Sequence, residues 1–257
     1  MRAANGYLSQ LASRDALVTL AGLLAVTVIS WWYIVEMAAG MSAMAPGMML
    51  KPWTASYFTM MLAMWSIMMV AMMIPSAAPM VLLYRLVANK NRLARPGLGT
   101  ALFAAGYLVV WSLFSVMATL LQWLLEEWAL LSPMMRSQSV LFSGITLIAA
   151  GLYQWSSLKQ ACLRHCRGAL FFISQHWRPG SAGAFQMGLT HGMYCVGCCG
   201  ALMALLFVGG IMDLTVIAAI AVIVLLEKLM PGGEWLARLL GAAAIVLGGV
   251  VIVSGVM

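Results

Sequence analysis

Charge is what this chain has least of. Only 8% of its 257 residues are Asp, Glu, Lys or Arg, while 64% are hydrophobic, and such a composition cannot cover a water-facing globule with polar side chains. A soluble enzyme is excluded on that ground. Among the few polar residues there is no nucleophile elbow, phosphate loop or paired-carboxylate pattern, which leaves hydrolase chemistry without support. No basic run is interleaved with aromatics, so the formal charge of +7 does not point to nucleic acid. The five cysteines are an odd number, which argues against a fully paired disulfide framework. Internal repeats, low-complexity linkers and polar stretches long enough for a separate soluble domain are also missing. Residues 1–257 therefore read as a single transmembrane domain.

What the chain does have is long apolar runs. A bilayer core of about 30 Å needs about 20 helical residues to cross it. Seven runs qualify, centred on residues 16–38, 54–74, 98–124, 138–157, 184–208, 212–230 and 235–256. They are continuous and rich in Leu, Ala and Met, unlike the short alternating segments of a barrel. The fold class is thus all-α, a polytopic transmembrane bundle of about seven helices. The first run is long and leads into Trp31, Trp32 and Glu36 without a small-residue cleavage site, so it reads as a membrane helix rather than a signal peptide. The prolines of "MIPSAAPM" (73–80) and "ARPG" (94–97) are expected to bracket the second loop, because proline interrupts or ends helices. "HWRPGSAG" does the same before the fifth run.

Basic residues give the orientation. Arg2, Arg14, Arg85, Lys90, Arg92, Arg95, Lys159, Arg164, Arg167, Arg178, Lys228 and Arg238 fall on one side of this topology, and Lys51 and Arg136 on the other. The positive-inside rule then places the N-terminus inside and the C-terminus outside, in a bacterial inner (cytoplasmic) membrane. Trp residues near the ends of the runs fit interfacial belts. Glu227 and Lys228, adjacent at an inner helix end, read as an interfacial anchor.

Three constellations carry chemistry. In "HGMYCVGCC", His191, Cys195, Cys198 and Cys199 fall within about 100° of helical arc, with Met187 one turn earlier on the same stripe. In "CLRHC", Cys162, His165 and Cys166 are spaced to meet on one helix face, and Lys159, Arg164 and Arg167 nearby are expected to lower the thiol pKa values. Thirdly, 13 of the 23 methionines lie between residues 37 and 80. Met37, Met41, Met44, Met48 and Met49 fall in an expected outer loop, and Met61, Met64, Met68 and Met72 share about 80° of the second helix. Thiolate, thioether and imidazole favour Cu(I) or Zn(II) over oxygen-seeking cations. Thioethers outside and thiols inside favour Cu(I), since thiols cross-link in an oxidising compartment. Against these readings stand the packing roles of buried Cys, Met and Gly.

"MMVAMMIPSAAP", "YQWSSLKQACLRHCR", the "HG" followed by "CVGCCGALM", and "LLEKLMPGG" together resemble a bacterial family of predicted metal-binding integral membrane proteins, over roughly residues 55–240. The resemblance implies metal binding. Gly200 stands where the family pattern has an aromatic residue, which implies different packing beside the Cys pair. Three functions fit the residues. One is Cu(I) transport through the Met-rich loop and helix to the intramembrane His/Cys site. Another is a thiol oxidoreductase using Cys195 and Cys198. The third is a non-transporting metallochaperone or assembly factor that loads a metalloenzyme partner.

Overall fold

The computed structural model describes residues 14–42, 53–132 and 135–255. Among the described residues the fold is all-helical, with an isolated bridge between Leu131 and Ser137 and no strand. The helices are α1 (Arg14–Ser42), α2 (Ala55–Lys90), α3 (Pro96–Glu127), α4 (Val140–Gln154), α5 (Ser157–Arg167), α6 (Ala169–His176), α7 (Gly180–Ala204), α8 (Leu206–Gly209), α9 (Leu214–Leu229) and α10 (Gly233–Ser254).

Five stretches are long and apolar enough to cross a membrane: Arg14–Gly40, Ala55–Lys90, Pro96–Glu127, Gly180–Gly209 and Gly233–Ser254. Seven were expected. All seven runs are helical, but α4 has 15 residues and α9 has 16, short of the usual spanning length. Their ends are diverted to other uses. Ser139 caps α4 by accepting from Phe142 N at 3.2 Å, and Ser156 opens α5 by accepting from Lys159 N at 3.1 Å. Asp213 caps α9 through Thr215 N at 2.9 Å and Val216 N at 3.2 Å, the preferred use of Asp at a helix start.

The second loop is shorter than the prolines suggest. Helix α2 runs through Pro75 and Pro79 to Lys90, so Arg85 and Lys90 are helical and the connection to α3 is residues 91–95. A proline inside a helix removes one N–H from the ladder, a loss that neighbouring groups offset inside an apolar bundle. Near Pro75, Ser76 Oγ donates to Met73 O at 2.9 Å and Tyr107 OH reaches the same carbonyl at 3.4 Å, which ties this stretch of α2 to itself and to α3. Pro96, by contrast, takes the first turn of α3, where its missing N–H costs nothing.

Two pairs of helices touch backbone to backbone. On α3 and α7, a Cβ at Gly106 would strike Phe185 O, and one at Gly188 would strike Phe103 O; at Gly192 it would stand 2.8 Å from Val110 Cβ. On α4 and α10, a Cβ at Gly248 would lie 2.7 Å from Gly144 O, and one at Gly151 would lie 2.6 Å from Gly241 O. Small residues permit this approach, which is how apolar helices gain packing without a water-driven hydrophobic term. Helix α2 is the centre, lined along most of its length by buried Met, Trp and Ala, while α1 leans on it with much of its Leu and Val surface exposed. An Arg85–Asp15 ion pair of 3.2 Å ties α2 to the start of α1.

Helices α4, α5 and α9 are pinned by charge. Lys159, fully buried on α5, forms a 2.7 Å ion pair with Glu227 on α9, and Gln154 Nε2 of α4 donates to the other carboxylate oxygen at 3.0 Å. Removing one member of a buried pair strands the other and costs about 3–5 kcal/mol, whereas replacing both with apolar groups is far milder. Glu227→Gln and Lys159→Met are therefore expected to lower the melting temperature in detergent strongly, and Lys159→Met/Glu227→Leu to recover much of the loss. Additive losses in the double variant would show that the two charges do not act as a pair.

Candidate metal centre

The arc drawn from spacing along "HGMYCVGCC" is realised on α7, where His191, Cys195, Cys198 and Cys199 are all buried. Close packing through Gly188 and Gly192 presses this face against α3. The sulfurs of Cys195, Cys198 and Cys199 lie within 4.8 Å of one another, close enough to share one metal ion. Cys198 and Cys199 are oriented by donating to Cys195 O at 3.2 and 2.8 Å. Two further sulfurs arrive from other helices. Cys166 of α5 stands 3.6 Å from Cys198 Sγ, and Met73 Sδ of α2 stands 3.9 Å from Cys199 Sγ. At Gly200, the space beside the pair faces Phe114 of α3, whose ring lies 3.8 Å from where a Cβ would stand.

Cys195 is the polar focus of the cluster. Lys228 Nζ donates to its sulfur at 3.0 Å and to Ser76 Oγ at 2.9 Å, and Tyr107 OH lies 3.1 Å from the same sulfur. An ammonium and a hydroxyl converging on one sulfur favour a thiolate there, the form that binds metal. The interfacial-anchor reading of Glu227 and Lys228 is thereby corrected. Both side chains are buried and they serve different partners, because adjacent helical positions diverge by about 100°.

The "CLRHC" segment is helical, as its spacing suggests, but its three candidate ligands diverge. Cys166 joins the α7 thiols. The Cys162 sulfur packs against α7 at Gly197, where an added Cβ would stand 2.6 Å from it. His165 stacks on Tyr194 at 4.2 Å between centroids, its Nδ1 2.9 Å from Ala161 O. The expected lowering of thiol pKa by the basic neighbours fails at Cys162, where burial pushes the thiol up. Lys159 is engaged by Glu227, and Arg167 donates to the carbonyls of Met230 and Pro231 at 2.6 and 2.7 Å. His191 sits one turn before Cys195, its ring stacked 5.5 Å from Tyr107 and 6.0 Å from Phe103, and its buried Nδ1 has no hydrogen-bond partner.

The methionine row is placed as expected in part. Met61, Met64, Met68 and Met72 are all buried on α2, yet the thioether that reaches the thiols is Met73. At the far end Met61 Sδ accepts from Gln122 Nε2 at 3.6 Å. Gln122 also accepts from Trp65 Nε1 and donates to Glu126, each at 2.8 Å, and Trp53 Nε1 closes the chain on Glu126 at 2.8 Å. Ser115 and Thr119 continue this buried polar face of α3 toward Trp111 and Tyr107. Met37 and Met41 fall within α1 rather than in a loop, while Met44, Met48 and Met49 lie outside the described residues.

Tyr107, Ser76, Met73 and Lys228 escaped the reading of local spacing. A signal existed for Lys228, a lysine within an apolar helix, which is costly unless a partner waits for it. For the others the information lies in how α2, α3 and α9 pack on α7, which no single helix carries.

No curated protein and no solved structure matches the chain. A family model described as a copper chaperone matches residues 62–251, from the methionine row of α2 through the thiol cluster to α10. With a match over most of its length, the chain belongs to the PpoB2 copper chaperone family.

Proposed function

We propose that this protein is a multi-pass protein of the bacterial cytoplasmic membrane, N-in and C-out, that holds Cu(I) on Cys195, Cys198 and Cys199 and passes it to a metalloenzyme or metallochaperone partner. The convergence of four thiols and a thioether from three helices carries this reading. Soft sulfur ligands select Cu(I), and the family's description as copper chaperone points the same way. The charge balance supports it too. Two thiolates on Cu(I) form a monoanion, and Lys228, 3.0 Å from Cys195 Sγ, supplies one compensating charge in a medium where unpaired charge is costly. His191 stands in reserve one turn away with an unpartnered nitrogen. Zn(II) suits thiolates as well, but it leaves the thioethers of α2 without a role.

Transport is a second reading, favoured by the seam between α2 and α3. Its two ends are Glu126 with Gln122 and Met61, and Met73 with Cys199. Met64, Met68 and Met72 lie buried between them. Exchange between neighbouring soft ligands would let an ion move along it. Flux of Cu(I) into sealed vesicles separates this from a chaperone that binds without moving ions across.

In detergent, reduced and anaerobic, the wild type is expected to take stoichiometric Cu(I) from a competing chelator, and Cys195→Ser/Cys198→Ser/Cys199→Ser to lose it. Equal weak binding in both would sink the copper reading and leave packing or thiol redox chemistry as the purpose of the cluster. The groups around Cys195 should also show themselves. Outer-shell partners of metal ligands typically contribute about 10–100-fold in affinity, so Lys228→Gln and Tyr107→Phe should each weaken Cu(I) binding on that scale. Retention of full affinity by Lys228→Gln would remove its role as counter-charge.

A further inference from the structure

A pocket of about 350 Å³ is lined by Arg164, Arg167, Gly168, Lys228, Leu229 and Glu234, and Lys228 links it to the thiol cluster. Three of its walls are cationic and one is acidic, so it favours an anion. Its floor is the unusual part. Lys228 lines the pocket and at the same time holds Cys195 Sγ at 3.0 Å. Helix α5 contributes the rim through Arg164 and Arg167 and, between them, Cys166, whose sulfur is 3.6 Å from Cys198. Mouth and first receiving thiol are therefore parts of the same helical turn.

Arg167 is anchored by the carbonyls of Met230 and Pro231, which fixes one edge of the mouth. Arg164 is exposed and forms neither an ion pair nor a side-chain hydrogen bond among the described residues, so its charge is available to an incoming ligand. The volume falls in the range of small-molecule sites, which run from about 300 to 1,000 Å³.

We infer that this pocket is where Cu(I) enters or leaves the cluster as an anionic complex with a small carboxylate-bearing thiol. The inference rests on the copper reading above. Cu(I) bound by two thiolates already carries net negative charge, and carboxylates on the carrier add to it, which matches a rim of Arg164 and Arg167 and a floor of Lys228. Transfer is ligand exchange without redox change. Each carrier Cu–S bond that breaks is replaced by a bond to a protein sulfur, Cys166 or Cys198 first, and the proton of the incoming thiol leaves on the departing thiolate. Cu(I) stays Cu(I) throughout.

The test compares two donors with the intact protein in detergent, anaerobically. One is Cu(I) as its glutathione complex, the other Cu(I) as its acetonitrile complex, which is a cation. Loading is followed by stopped-flow ultraviolet absorption of the Cu–thiolate bonds. Fixed surface charge alters the encounter rate of a charged ligand by about 10-fold or more. Arg164→Glu should therefore slow loading from the glutathione complex on that scale, and Glu234→Gln should speed it. With the cationic acetonitrile complex the signs should reverse, Arg164→Glu failing to slow loading and Glu234→Gln failing to speed it, and the equilibrium affinity should be unchanged. Rising ionic strength should erase the difference between wild type and Arg164→Glu. Equal rates from the glutathione donor in wild type and Arg164→Glu, or equal slowing with both donors, would overturn the pocket as an entry for anionic carriers. Failure of the wild type to load from either donor would instead overturn the copper reading itself.

Discussion

A lysine buried against a cysteine constrains everything around it. Among the described residues the buried charges are Lys159, Glu227 and Lys228. Lys159 and Glu227 cancel each other across 2.7 Å. That leaves Lys228 without an ion pair among the described residues, its ammonium in contact with a sulfur and a hydroxyl. An uncompensated ammonium in an apolar bundle is expensive, so the cluster is most stable when its sulfurs carry the missing negative charge. A metal held by thiolates, with net charge of minus one, meets that condition and a neutral set of thiols does not.

The rest of the architecture delivers groups to this point. Glycines 106, 188 and 192 let α3 approach α7 closely enough for Tyr107 to reach Cys195. The ion pair between Lys159 and Glu227 locks α5 to α9, and with them Cys166 and Lys228, which sit on those two helices. Pro75 loosens the hydrogen-bond ladder of α2 at the level where Ser76 and Met73 turn toward the site. Packing that looks generic in an apolar chain thus sets the spacing of five sulfurs and one ammonium.

How much of this could be read from the chain follows from which interactions are local. The face shared by Cys195, Cys198 and Cys199 was legible, because helical periodicity alone decides it. So was the helical nature of every apolar run, and the break at "HWRPGSAG", where α7 begins just past Pro179. The prolines of α2 misled, because a helix surrounded by other helices tolerates a missing N–H that an isolated one does not. Glu227 and Lys228 misled for a related reason. Their adjacency suggested a common role, but which partners they meet is decided by α5 and α7, far away in sequence. Met73 was passed over for Met72 because the choice depends on which side of α2 faces Cys199. Met44 and Met48 lie outside the described residues, and their role as an outer collecting loop remains a proposal.

On the copper function proposed above, holding a soft ion firmly and releasing it are opposing demands, and the geometry would meet both with redundancy rather than with strength. Cu(I) is satisfied by two or three sulfurs, and the cluster offers four thiols with a thioether at 3.9 Å from one of them. Neighbouring sulfurs could replace one another one bond at a time, so that a bound ion would not lose all its ligands at once. Cys166 lies on α5 between the pocket residues Arg164 and Arg167 and touches Cys198, while Met73 touches Cys199 from α2. Under that proposal the two peripheral sulfurs would be the points of arrival and departure, with Cys195 the most firmly held because Tyr107 and Lys228 both contact it. A site built only for permanence would close its ligand set, whereas this cluster has further sulfurs, Cys166 and Met73, in contact with it.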